Sequence, residues 1–151
     1  MATATPHVQL RPSRPEDFES AAALLRAARL PLDGLRERFD NAIVASRDGE
    51  VVGCVALELH RDSALLRSLV VAEGVRGEGL GERLTAEALR LARERGAADV
   101  YLLTETAQRF FPRFGFRIAE RSEAPAALQE SVEFRSACPK SAVMMRLGLA
   151  V

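Results

Sequence analysis

Three glycines in five positions, Gly77, Gly79 and Gly81, stand in the run "RGEGLG" between an apolar segment and a helical pattern. Backbone that bare at the start of a helix lets several N–H groups converge on an anion. Unsatisfied donors and the positive end of the helix macrodipole favour a phosphate or diphosphate there. Arg76 adds charge beside it. A nucleoside-triphosphate loop would end in Gly-Lys-Ser/Thr, because the lysine contacts phosphate and the hydroxyl holds magnesium. Here Gly81 is followed by Glu82, so that reading fails. A dinucleotide turn asks for G-x-G-x-x-G, and the position that should carry its last glycine is Leu84. Asp99 lies at the right distance for a ribose-binding acid, but it starts a strand instead of ending one. A connector without a ligand rarely needs three glycines and a flanking arginine. The reading that best uses the loop is a diphosphate cradle, with Gly77, Gly79 and Gly81 letting the phosphate approach.

The elements around the loop must place it. "HVQLR" reads as a strand, and Ser13-Arg14-Pro15-Glu16 as a capping box with Ser13 at the N-cap. Phe18, Ala22 and Leu25 recur at helical spacing, and a second short helical stretch is expected around "LDGLRERF". "NAIVAS" and "VVGCVALEL" flank Asp48-Gly49, a hairpin signal, and a turn at "HRDS" leads into "ALLRSLVVA". An antiparallel meander is expected. Leu80, Leu84, Ala88 and Leu91 form one stripe of a long helix that Gly96 ends. "DVYLLT" reads as a strand buried on both faces, so strand, helix and strand in succession imply a crossover and a parallel pair. "AQRFFPRF" reads as a short helix limited by Pro112, "FGFRIAE" as a strand, "APAALQES" as a helical turn and "SAVMMRLGL" as a closing strand. The expected class is an α/β (α+β) domain with a mixed sheet, residues 1–151 forming one domain.

Composition narrows the partners. Twenty-one basic and twenty-one acidic side chains cancel. They are scattered, so no footprint for nucleic acid or an anionic membrane is visible. No apolar stretch approaches the length of a membrane span, and "MATATPHVQLRP" lacks a signal pattern. A cytoplasmic protein is expected. Cys54 and Cys138 are the only cysteines, at no metal-ligand spacing, so no metal site is expected.

The segment "SLVVAEGVRGEGLGERL" joins strand, Arg-x-x-Gly-x-Gly loop and amphipathic helix in one order. It resembles the acetyl-coenzyme A signature of the Gcn-five-related N-acetyltransferase (GNAT) family, and the resemblance covers nearly the whole chain, with Gly115-Phe116 in the family's late "GF" place. The resemblance implies the GNAT fold, a mixed central sheet of six to seven strands with about four helices. It implies that Leu69, Val70 and Val71 offer backbone groups to the pantetheine arm. Arg76, Gly77, Glu78, Gly79, Leu80, Gly81 and Glu82 would hold the diphosphate of acetyl-coenzyme A. The implied reaction is direct attack of an uncharged substrate amine on the thioester. Homodimers are common in the family.

Three positions depart from the family pattern. Glu73 stands where many members have proline, Thr104 where many have asparagine, and Phe111 where many carry a tyrosine that protonates the departing thiolate. "LLTETAQRFFPRFGF" with "PKSAVMM" resembles the acetyltransferase domain of N-acetylglutamate synthase, a branch that likewise has phenylalanine there. "LLRSLVV", "APAAL" and "EFRSACPKSAV" resemble the small acetyltransferases of arsenic-resistance operons. The substrate implied is a small acidic amino acid or amino-acid analogue. Glu105, at the end of the buried strand, is the first candidate for a base, and Glu58, on the meander, the second. Arg67, Arg135, Lys140 and Ser141 are candidates for holding a substrate carboxylate. Each of these polar residues could equally be an ordinary solvated side chain. A fold-sharing sensor that binds acyl-coenzyme A without turnover is the alternative.

Overall fold

The computed structural model describes residues 8–131, 134 and 141–149. Strands β1 (Val8–Pro12), β2 (Ala42–Arg47), β3 (Glu50–His60) and β4 (Ser63–Val71) pair antiparallel in sequence order, forming the expected meander with a further strand at its edge. Asp48 and Gly49 both take positive φ, 50° and 81°, at the predicted hairpin turn. Helix α2 (Leu80–Glu94) then carries the chain over to β5 (Asp99–Thr104), which runs parallel to β4. The last strand, β7 (Val143–Gly148), inserts between β5 and β6 (Arg117–Ala119), giving the seven-stranded order β1-β2-β3-β4-β5-β7-β6. This mixed sheet is the one expected; the insertion of β7 has no counterpart among the sequence expectations.

Alternation along the strands gives the sheet two apolar faces. Ile43, Ala45, Val55 and Leu57 pack with Leu80, Leu84, Ala88 and Leu89 of α2. Val44, Cys54, Ala56 and Val70 pack on the other face with Phe18, Ala21, Ala22 and Leu25 of helix α1 (Phe18–Ala27). Leu65, Tyr101 and Met144 extend that second face beneath Leu128 of the short helix α3 (Ala126–Gln129). Each leucine fully buried this way contributes roughly 1.5–3 kcal/mol, which fixes α2 against the sheet and with it the loop at its start.

Two local expectations need correction. Ser13 does not cap the first helix: its hydroxyl donates to the Phe39 carbonyl at 2.5 Å. The cap lies one residue on, where Asp17 accepts from the Arg14 N–H at 2.7 Å and holds the Arg11 guanidinium at 2.8 Å. A buried carboxylate with a cation within reach outcompetes a serine whose hydroxyl is drawn to another segment. "AQRFFPRF" forms only a 3₁₀ turn over Phe111–Phe114, because Pro112 supplies no N–H.

Candidate active site

A break in the sheet creates the site. β4 and β5 pair only from Ser63↔Asp99 to Leu65↔Tyr101. Beyond that point β4 stays paired to β3 as far as Gly53↔Val71, and β5 to β7 as far as Thr104↔Val143. Both strands therefore persist while separating, and a wedge opens between them. The register of β3 on β4 shifts between Cys54 and Ala56, opposite Ser68, whose φ is 60°. Such a bulge leaves a residue outside the ladder and bends its strand. The Ser68 carbonyl accepts instead from the buried Cys54 thiol, Sγ···O 3.3 Å. Burial pushes that thiol up to about 12, so it stays protonated.

The wedge holds a cavity of about 150 Å³ bordered by Arg67, Ser68 and Leu69 of β4, Leu102 to Thr104 of β5, and Phe111. It shares Leu69, Thr106 and Ala107 with a wider cavity of about 650 Å³. That one shares Val71, Arg76, Gly81 and Phe110 with a third, about 240 Å³, against the glycine loop. One groove thus runs from the loop to the wedge. On the far side, Leu30, Pro31 and Thr104 lead to a further cavity bordered by Glu105. A long, thin ligand with an anionic end fits this shape.

The loop fits a diphosphate on its own geometry. Gly79 caps α2 at φ 76°, a left-handed conformation that costs a residue with a side chain about 1–2 kcal/mol. A Cβ placed at Gly77 or Gly79 would meet no protein atom within 4 Å. The first amide after Arg76 claimed by a backbone carbonyl is that of Arg83, which donates to Gly79 at 3.1 Å. Among the described residues, the N–H groups of 77–82 have no backbone acceptor. Arg76 lies along the groove with Nε donating to the Val71 carbonyl at 3.1 Å.

Of the residues expected at the cofactor, Leu69, Val70, Val71, Arg76, Gly77, Gly79, Leu80, Gly81 and Glu82 all border this groove. Glu78 is exposed and lies outside its lining. Glu105 stands at the outer mouth, its Oε1 accepting from the Ser141 hydroxyl at 2.6 Å. The Thr104 hydroxyl accepts from the Ala107 N–H at 2.9 Å and so pins the turn that carries Glu105. Arg135 and Lys140 lie outside the described residues.

Glu58 is not the solvated strand residue that alternation allowed. It is 3 % exposed, accepts from Arg67 Nη1 at 2.8 Å and from the Ser131 hydroxyl at 2.8 Å, and lies 2.9 Å from His60 Nε2. Burial alone would raise its pKa, but the hydrogen bonds from His60, Arg67 and Ser131 together outweigh it and hold the group down at about 2. A carboxylate held that low is a weak proton acceptor at neutral pH. Arg67 is itself 2 % exposed and also reaches the Ser68 hydroxyl at 3.1 Å and the Pro31 carbonyl at 3.4 Å. Phe111 is buried edge-on against Phe110 and Phe116, with no hydroxyl to donate.

Residues 38–118 match the acetyltransferase (GNAT) domain family. An uncharacterized N-acetyltransferase of Chlorobaculum tepidum is 30% identical over 110 residues, 72% of this chain and 68% of that one. An amino-acid acetyltransferase of Neisseria meningitidis is 28% identical over 148 residues, 92% of this chain but 34% of the relative, so the chain spans about a third of that enzyme's length. Among solved structures, N-acetylglutamate synthase of Neisseria gonorrhoeae, complexed with coenzyme A and N-acetyl-glutamate, superposes with a TM-score of 0.82 at 22% identity. That match covers 97% of this chain and 36% of that one. A Mycobacterium tuberculosis protein solved with coenzyme A gives 0.79 at 24% identity, covering 94% and 99%. The chain belongs to the GNAT family, and as such is an acetyl-coenzyme A-dependent acetyltransferase.

Sequence reasoning missed the wall facing the glycine loop. Phe110, Arg109 and Arg113 border the groove from the segment after β5. Clustered aromatic and arginine residues in "QRFFPRF" are the only signal the sequence offers for it. Ser68 was missed as well, since a bulge in an apolar strand leaves no mark in composition.

Proposed function

We propose that this chain acetylates the amine of a small acidic amino acid or amino-acid analogue. The observation that carries the acetyl transfer is the wedge between β4 and β5, joined at one end to the glycine loop and at the other to the cavity of Glu105, and the likeness to an amino-acid acetyltransferase supports the acidic acceptor. In it, the amides of residues 77–82 hold the diphosphate, Arg76 adds charge, and the backbone of Leu69 to Val71 lines the pantetheine arm. Bound there, acetyl-coenzyme A supplies an acetyl group activated as a thioester for direct attack by the uncharged amine.

The chain's own residues then divide the work. Glu105 accepts the amine's proton, directly or through one water, with Ser141 orienting its carboxylate through the 2.6 Å bond. Past Leu65 β4 has no β5 partner, so its backbone donors on the wedge side can polarise a carbonyl. Glu58 acts as counter-ion to Arg67, fixing the guanidinium at the wedge wall instead of taking a proton. Because Glu58 matches the Arg67 charge, net attraction for a substrate carboxylate falls mainly to Arg135 and Lys140. With Phe111 in place of a hydroxyl donor, the thiolate takes its proton from water.

A free-thiol release screen with the purified chain, across acidic, neutral and basic amino acids, phosphinate analogues and peptide N-termini, tests the reading. Acidic amines are expected to give the highest kcat/KM. Replacing Arg135 or Lys140 should raise KM for that amine more than for acetyl-coenzyme A. Preference for peptide N-termini or basic amines would overturn it.

A further inference from the structure

Ser68 holds a backbone conformation that a serine inside a strand does not favour. At φ 60° it is left-handed, a region that residues with a side chain seldom occupy and that recurs at active sites. Its contacts show what the conformation achieves. Successive side chains of a strand point to opposite faces, yet Arg67 Nε donates to the Ser68 hydroxyl at 3.1 Å. The bulge thus brings both side chains to one side of β4. Ser68 is 8 % exposed, and it borders the wedge cavity beside Leu69, together with Leu102 and Phe111.

A serine hydroxyl has one proton to donate. The oxygen of Ser68 already accepts from a guanidinium, and among the described residues its own O–H meets no protein acceptor. Accepting from a cation polarises the hydroxyl and strengthens the bond it can give, the more so between apolar walls. Glu58, 2.8 Å from Arg67 Nη1, fixes the guanidinium behind it. Thr104, a hydroxyl on the opposite wall, is placed differently: it accepts from the Ala107 N–H and also borders the outer cavity. With its diphosphate at the loop and its arm along Leu69 to Val71, acetyl-coenzyme A would bring its sulfur and acetyl group to the wedge. We propose that the Ser68 hydroxyl is a catalytic group, donating a hydrogen bond to the acetyl oxygen as negative charge develops there. As the amine nitrogen bonds to the carbonyl carbon, one C=O electron pair moves onto that oxygen. It returns as the C–S bond breaks and the bonding pair leaves on sulfur. Ser68 keeps its proton throughout; the amine's proton goes to Glu105 and sulfur takes its own from water. The proposal rests on the reading that the wedge receives the thioester.

Carbon-13 NMR of acetyl-coenzyme A labelled at the acetyl carbonyl, bound to the full chain without any amine, reads this contact without turnover. A hydrogen bond draws electron density from the carbonyl carbon, so the bound resonance should lie further upfield in Ser68→Gly and in Ser68→Ala than in the unaltered chain. In steady-state assays kcat should fall about tenfold to a hundredfold in both variants, the size of one bond to a charged oxygen, with KM for acetyl-coenzyme A within about twofold. The two variants differ in strain, because glycine accepts φ 60° and alanine does not, so the alanine variant should melt lower. A purely structural role would make activity follow the melting temperature. A carbonyl resonance unmoved in both variants, kcat within about twofold of the unaltered value, or a loss confined to the alanine variant would each overturn the proposal. If acetyl-coenzyme A does not bind the unaltered chain at all, the reading of the groove falls, and the role of Ser68 with it.

Discussion

Replacing Gly79 by alanine and by asparagine separates what this glycine does for the fold from what it does for the ligand. At φ 76° and ψ 13° the residue is left-handed. Alanine there incurs about 1–2 kcal/mol of steric cost, part of which is offset by the smaller entropy of its unfolded chain, for a net loss of about 1 kcal/mol. In a chain of this size that lowers the melting temperature by roughly 2–4 °C. Asparagine tolerates the left-handed region through local hydrogen bonding, so its melting temperature should fall less. Affinity should follow the opposite order. No protein atom lies within 4 Å of an added Cβ, so the new side chain stands in open space bordering the loop. The larger asparagine then displaces more of the diphosphate than alanine does. Losing one or two amide-to-phosphate bonds, each about 1.5–3 kcal/mol, predicts a drop of about tenfold for alanine and a hundredfold or more for asparagine. Thermal melting of the ligand-free protein and calorimetry with coenzyme A measure the two effects independently. Affinity unchanged in both variants, or falling in the same order as the melting temperature, would refute the cradle.

Two further outcomes follow from the site. Glu58 is held at about 2, below its ordinary value of 4.5. A depressed carboxylate contributes stability that is fully present above about pH 4.5 and is lost as the pH falls toward 2, by roughly 3 kcal/mol in all. Urea unfolding between pH 2 and 6 should show that loss; Glu58→Gln, already destabilised near neutrality, should show a shallower one, and an equal slope would assign the acid lability elsewhere. Phe111→Tyr adds a hydroxyl to a ring that borders the wedge and is only 4 % exposed. If water protonates the thiolate without limiting the rate, kcat for the acidic amine should change less than about threefold; a larger gain would show that thiolate departure limits turnover.

The portions of the site that are consecutive in the chain are legible in the order of residues alone. The glycine run and the helix after it declare themselves because turn chemistry and the 3.6-residue period are local properties of the chain. The hairpin at Asp48-Gly49 and the crossover into β5 are readable for the same reason. The candidates on single side chains fared differently. Alternation placed Glu58 on a strand but left its surroundings open, and only packing shows three donors closing around it from Arg67, His60 and Ser131. The expected helical stripe likewise drifts: Leu89 and Ala92 are buried with Leu84 and Ala88, while Leu91 is only partly covered.

The sequence by itself determined that a bare loop opens a long helix after an apolar strand, since those features need nothing beyond their own neighbours. Tertiary structure alone decided that β4 and β5 separate after Leu65 and Tyr101, that β7 slips between β5 and β6, and that the Phe110–Arg113 pair faces the loop from across the groove. Strand pairing and the partner of a buried charge are chosen by competition among segments distant in the chain. The apolar pattern of β4 and β5 would satisfy a closed sheet as well as an open wedge, so the opening has no signature in either strand alone.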